Sequence, residues 1–126
     1  MSLVLDAGAL VAVERGDRDT VALIKLELLA LRVPVTHGGV VGQVWRGGGR
    51  RQANLARLLP ALDVRPLDGE LGRRVGVLLS KTRTADVIDA AVALLAVDGD
   101  SVMTSDPDDL ASLIAAAGVH ADVVRV

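Results

Sequence analysis

Apolar and polar residues follow two rhythms along this chain, and each change of rhythm marks an element. Ser2-Leu3-Val4-Leu5-Asp6 is a short apolar run stopped by an acid, the pattern of a buried parallel strand. Ala9 to Glu14 reads as a short helix closed by Gly16, and Thr20 to Leu31 as a longer one carrying Val21, Leu23, Ile24, Leu28 and Leu31. Arg32 to Thr36 gives a second strand, with Pro34 at an edge or strand end. Gly39 to Arg46 is helical, the glycines at 47–49 are a break, and Arg51 to Leu62 puts Leu55, Leu58, Leu59 and Leu62 on one helical face. Asp63 to Leu67 is a third strand, and Asp68 caps a helix running to Lys81. Thr84 caps a helix over Ala85 to Val97, the turn Asp98-Gly99-Asp100 leads to a strand at Ser101–Thr104, and Pro107 to Ala117 is helical. Ala121 to Val126 closes the chain as a strand. Strands separated by helices predict an α/β fold: one domain over residues 1–126, a mostly parallel central sheet, helices on both faces.

Composition narrows the chemistry. With 126 residues, 51% of them hydrophobic, the chain has material for one core. Trp45 is its one aromatic residue, which excludes a stacking platform for single-stranded nucleic acid and suits a core position or a partner-interface anchor. No Cys is present, so disulfides, thiolate zinc sites and a Cys nucleophile are all absent, and His37 and His120 are too few for a His-rich metal site. A net charge of −2 means that nucleic-acid binding needs a local basic patch. No signal peptide or membrane span is read, and the expected location is the cytoplasm.

Ligands of parallel sheets bind beyond the carboxyl ends of the strands. Asp6 ends the first strand there, and Asp106, Asp108 and Asp109 follow the fourth. Asp86 and Asp89 lie three apart in the first turns of a helix and so share roughly one face. Crowded carboxylates stay ionised when a cation lies among them, and oxygen-only donors point to Mg²⁺ or Mn²⁺. Helix capping competes as an explanation. Asp106 precedes Pro107 and suits an N-cap, with Asp109 favoured by the helix dipole, as Asp86 is in its own helix. Asp89, among Val87, Ile88, Ala90, Ala91 and Val92, has no such excuse, because a carboxylate there is costly without a role.

Leu3-Val4-Leu5-Asp6 with Ala9-Leu10-Val11, Asp89-Ala90-Ala91-Val92-Ala93-Leu94, and Val102-Met103-Thr104-Ser105-Asp106-Pro107-Asp108-Asp109-Leu110 together resemble the PIN-domain family, and in particular VapC-like toxins. The resemblance spans nearly the whole chain and rests on the ordered set. It implies an endoribonuclease with Asp6, Asp89 and Asp106 as metal ligands and Asp109 as a further acid. It implies one or two Mg²⁺ or Mn²⁺ ions that activate water against an RNA phosphodiester. It also implies a VapB-like antitoxin as partner and pairing as a homodimer, with no membrane or DNA role expected.

The chain departs from the family twice. Gln43 stands where the family has a Glu, so it offers an amide oxygen without charge, and Gly8 stands where a hydroxyl is often found. Arg46, Arg50 and Arg51 flank the glycines at 47–49 and suit phosphate contacts, with Arg73, Arg74, Lys81 and Arg83 as an extension or merely a solvated face. Gln43 also favours an alternative, a weak or inactive PIN-like module that binds RNA or an antitoxin. Phospho-acceptor α/β proteins fit poorly, since Gly8 replaces the second Asp of the phosphatases and Lys25 and Lys81 do not end a late strand.

Overall fold

The computed structural model describes all of residues 1–126. Its strands are β1 (Leu3–Leu5), β2 (Val35–His37), β3 (Asp63–Arg65), β4 (Ser101–Thr104) and β5 (Asp122–Arg125), ordered β3-β2-β1-β4-β5 and parallel throughout. Its helices are α1 (Ala7–Glu14), α2 (Arg18–Leu29), α3 (Gly38–Val44), α4 (Ala53–Leu58), α5 (Gly69–Leu79), α6 (Val87–Leu95) and α7 (Pro107–Ala116). Leu3, Val4 and Leu5 are buried on both sides, as a central parallel strand requires. On one side α1 packs against α2, α3 and α4, and on the other α6 packs against α5 and α7. A single cluster of 25 buried apolar residues joins both layers through the sheet.

The chain builds outward from β1 through β2 to β3, then crosses back to place β4 on the other side of β1. The β1/β4 boundary is thus where the direction of winding reverses, and a crevice opens at the carboxyl ends of such a pair. Leu5 is in register with Met103, and the Asp6 amide continues the ladder to the Met103 carbonyl at 3.2 Å.

Buried polar side chains stitch the elements together. The Thr36 hydroxyl donates to the Leu5 carbonyl at 2.8 Å. His37, wholly buried, pairs its Nε2 with the Ile88 carbonyl at 3.0 Å, and its Nδ1 accepts from the Gly39 amide at 3.1 Å. The ring is neutral, since burial pushes its pKa down and the Ile88 carbonyl opposes this only in part. Asp100 accepts from the amides of Ser2 and Val97 at 2.7 and 2.9 Å, tying the start of β1 to the turn before β4.

Several boundaries differ from the sequence reading. The helix expected over Arg51–Leu62 is a 3₁₀ turn at Arg50–Gln52, α4, and a second 3₁₀ turn at Leu59–Ala61, where Pro60 cannot donate to a continuing helix. The helix expected from Ala85 begins at Val87, because Asp86 rather than Thr84 is its N-cap: the Asp86 carboxylate accepts from the Asp89 amide at 2.9 Å. Thr84 acts one step earlier, its hydroxyl accepting from the Asp86 amide at 3.2 Å. Pro34 lies just before β2, an inner strand, and its carbonyl accepts from Asp63.

His37→Leu should test the stitching. It keeps bulk but leaves the Gly39 N–H and the Ile88 carbonyl unpaired, and the expected loss is on the order of 2 kcal/mol. The check is a fall in the urea midpoint at unchanged slope.

Candidate metal and active site

Asp6 is fixed by the join of β1 and α1. Its backbone is extended, its carboxylate accepts from the Ala9 amide at 2.9 Å as the N-cap of α1, and it is 3% exposed. Burial raises its pKa, while the Thr104 hydroxyl and the amides of Ala9, Gly8 and Ser105 work the other way. The capping bond uses Oδ1 and leaves the second oxygen for another partner.

For Asp106 the capping alternative fails. It occupies the N-cap position of α7, yet its side chain makes no capping hydrogen bond. Instead its amide donates to the Thr104 hydroxyl oxygen at 2.8 Å, and its carboxyl meets that of Asp109. That contact is the first reason its pKa is raised, with the charges of Asp109, Asp108 and Asp6 adding to it. Two carboxyl groups at hydrogen-bond range need a proton or a cation between them.

Asp89 lies in the first turn of α6, partly buried, and its pKa is raised from 3.8 to about 6. Burial is the leading cause, followed by the negative charges of Asp86, Asp6, Asp106 and Asp109. The acids after β1, at the start of α6 and after β4 therefore share one electrostatic field at the switch point. Their oxygen donors and summed charge suit a hard divalent cation. No three His, Asp or Glu side chains stand close enough to hold an ion as they are placed, so the set is matched in chemistry but not closed around a point.

No family model matches the chain, and no curated protein does. Among solved structures it is similar to a chain of VapBC2 from Rickettsia felis bound to a DNA fragment from their promoter. The TM-score is 0.72 at 12% identity, covering 98% of this chain and 99% of that one. The fold is PIN-like.

Within this PIN-like frame the remaining expected residues fall into place unevenly. Gln43 is exposed and hydrogen-bonds to none of the acids. Its neighbours Val40 and Val44 are buried, whereas Gln43 itself is turned to solvent. Arg50 and Arg51 are exposed in their 3₁₀ turn. Arg46 is exposed too, but one of its guanidinium nitrogens donates to the carbonyls of Gly42 and Trp45, closing the end of α3. The segment around the glycines is anchored rather than loose. The amide oxygen of buried Gln52 accepts from Arg46 and Gly48 at 2.8 and 3.2 Å, and its nitrogen donates to Glu14 and Val44 at 2.6 and 2.9 Å. Because Glu14 ends α1 and Asp6 starts it, this basic loop lies about 12 Å along the helix from the acids. Trp45 is not a core residue: it is 36% exposed and covers Gly48 with its ring.

Thr104 and Ser105 were not singled out in the sequence. The signal for them was their place at the end of β4 and just before Asp106, where the turn must face Asp6 if the sheet is parallel.

Asp89→Asn should make the fold more stable, because it removes a charge that the fold resists. Each pKa unit is about 1.4 kcal/mol, and solvent screening at this partly exposed group reduces the gain to on the order of 1 kcal/mol. The folded value near 6 lies above the ordinary 3.8, so the penalty is complete above the former and vanishes below the latter. Melting curves across pH should show the variant ahead of the parent at neutral pH and level with it in acid.

Proposed function

We propose that the chain is a metal-dependent endoribonuclease of the VapC-like kind, the toxin of a toxin–antitoxin pair. The observation that carries this reading is the convergence of Asp6, Asp89, Asp106 and Asp109, from three separate segments, on the switch point of a PIN-like sheet. Asp6, Asp89 and Asp106 would be the residues to hold Mg²⁺ or Mn²⁺, with Asp109 as a further acid. A bound ion of this class supplies activated water and neutralises charge on phosphate oxygens. The protein's part is to hold the acids: α1 and the β4–α7 turn fix Asp6, the Thr104 hydroxyl fixes the Asp106 backbone, and the Asp86 cap fixes the start of α6. Arg50 and Arg51, with the free nitrogens of Arg46, offer charge for RNA phosphates at the far end of α1.

Purified chain, freed of any partner, should cleave RNA with Mn²⁺ at least about a hundredfold faster than Asp6→Asn does. Equal rates would sink the nuclease reading. A weaker, binding-only role is favoured by two observations, the neutral Gln43 and the open spacing of the acids. Gln43→Glu separates the readings: one added charge at short range is worth about 1.4 kcal/mol, and Mn²⁺ affinity should rise about tenfold if position 43 belongs to the site.

The antitoxin also has a seat. A groove of about 620 Å³ lies between α1, α2 and α4, floored by residues such as Val13, Ile24, Leu28 and Leu58 and rimmed by Arg18, Lys25 and Arg57. Exposed Leu26 and Leu29 extend it, each one helical turn from groove residues Ala22 and Lys25. An apolar floor inside a basic rim fits an amphipathic acidic helix. Lys25→Glu with Arg57→Glu should weaken antitoxin binding about tenfold by titration calorimetry while leaving RNA cleavage intact.

A further inference from the structure

We propose that a second groove, on the face of the sheet opposite the one between α1, α2 and α4, docks an acidic amphipathic segment of a protein partner. This surface does not depend on the reading of the acids as a cation site. The groove holds about 340 Å³ where α5 meets the ends of α6 and α7. Val77, Leu94 and Ala116 floor it, and Arg73, Arg74 and Lys81 line it beside them. It belongs to the layer of α5, α6 and α7, apart from Arg46, Arg50 and Arg51, whose loop joins α3 to α4 in the other layer. These cations are therefore not an extension of that loop.

Arg73, Arg74 and Lys81 enter no ion pair, since the ion pairs of the chain are Arg32–Glu27 and Arg65–Asp63. No acid lines the groove, and Glu70, the one acid of α5, stays outside it. A merely solvated helix face needs no apolar floor, yet Val77 is 61% exposed, four residues from both Arg73 and Lys81. An apolar floor beside unpaired cations is complementary to a helix that carries apolar residues on one stripe and acids next to it. Nucleic acid fits less well. Its phosphates and bases seek hydrogen-bonding groups or ring faces, and the side chains of the floor offer neither. The one aromatic residue, Trp45, follows α3 in the other layer. A second copy also fits less well, because a two-fold contact would set Arg73, Arg74 and Lys81 against the same cations.

The probe is a synthetic helical peptide of about 16 residues, with Leu along one stripe and Glu elsewhere. It is titrated into the full chain while the backbone amide resonances are followed by NMR. The amides of Val77, Leu94, Ala116 and Ala117 should shift together with one affinity, and that affinity should fall as salt is raised. Arg74→Glu with Lys81→Glu, both at exposed positions, should melt within about 4 °C of the parent. That variant should bind the peptide at this groove about tenfold more weakly. Lys25→Glu with Arg57→Glu, in the other groove, should leave these shifts and their affinity unchanged, so the two surfaces are read separately. A peptide that moves none of these amides, or equal affinity in the Arg74→Glu, Lys81→Glu variant, overturns the proposal. Shifts produced by a short RNA and not by the peptide overturn it in favour of nucleic acid, and shifts produced by concentrating the chain alone overturn it in favour of a second copy.

Discussion

Like charge held at the mouth of a dry sheet is the constraint around which this molecule is arranged. Asp6 follows three residues buried on both sides of the sheet and is itself almost wholly buried. A carboxylate there is costly unless it is hydrogen-bonded. The chain supplies Thr104 and the amides of Ala9, Gly8 and Ser105. Those groups come from both sides of the β1/β4 boundary, so the carboxylate can be satisfied only if the parallel pairing of these strands is correct. The same turn that serves Asp6 brings Asp106 and Asp109 near it, and α6 adds Asp89. The acids then repel one another, which is tolerable for a fold whose core is otherwise complete.

That completeness is visible elsewhere. No buried side-chain polar atom lacks a partner. His37, Gln52 and Asp100 each join segments far apart in the chain and leave nothing unpaired. The strain of the molecule is thus concentrated at the carboxyl edge, where stability is given up for charge density. Such concentration is expected of functional sites, which hold groups the fold alone would not choose.

The sequence carried the architecture well, because it is written in local rhythm. Buried strands read as short apolar runs and each helix has its own periodicity, so element order and sheet type followed from spacing alone. Asp89 was also legible, since its apolar neighbours in α6 leave a carboxylate without a bland excuse. Other features depend on contacts that spacing does not encode. Asp86 and Thr84 are both good caps, and only the bond to the Asp89 amide shows which one starts the helix. Asp106 sits at a capping position and does not cap, while Asp6 does. Gln43 is exposed although Val40 and Val44 beside it are buried, a distinction that spacing does not reveal. The glycines at 47–49 read as a break, and only the contacts show that Gln52 reaches back to hold Arg46 and Gly48. Ser105 packs against Gly8 from the opposite end of the chain, a contact that spacing does not encode.

Gln43 is best understood through the same balance of charge. Every carboxylate added to this edge raises the cost of the ion-free protein and strengthens its pull on a cation, because both effects scale with the charge assembled. Asp89 already stands near the point where half of it is protonated at mildly acid pH, with a folded pKa of about 6. A further carboxylate nearby would push Asp89 further up and leave more of it protonated at neutral pH. If position 43 belongs to the proposed site, an amide there spares the ion-free protein that burden. On that reading its hold on a cation would be weaker than a carboxylate's, because attraction scales with the charge assembled.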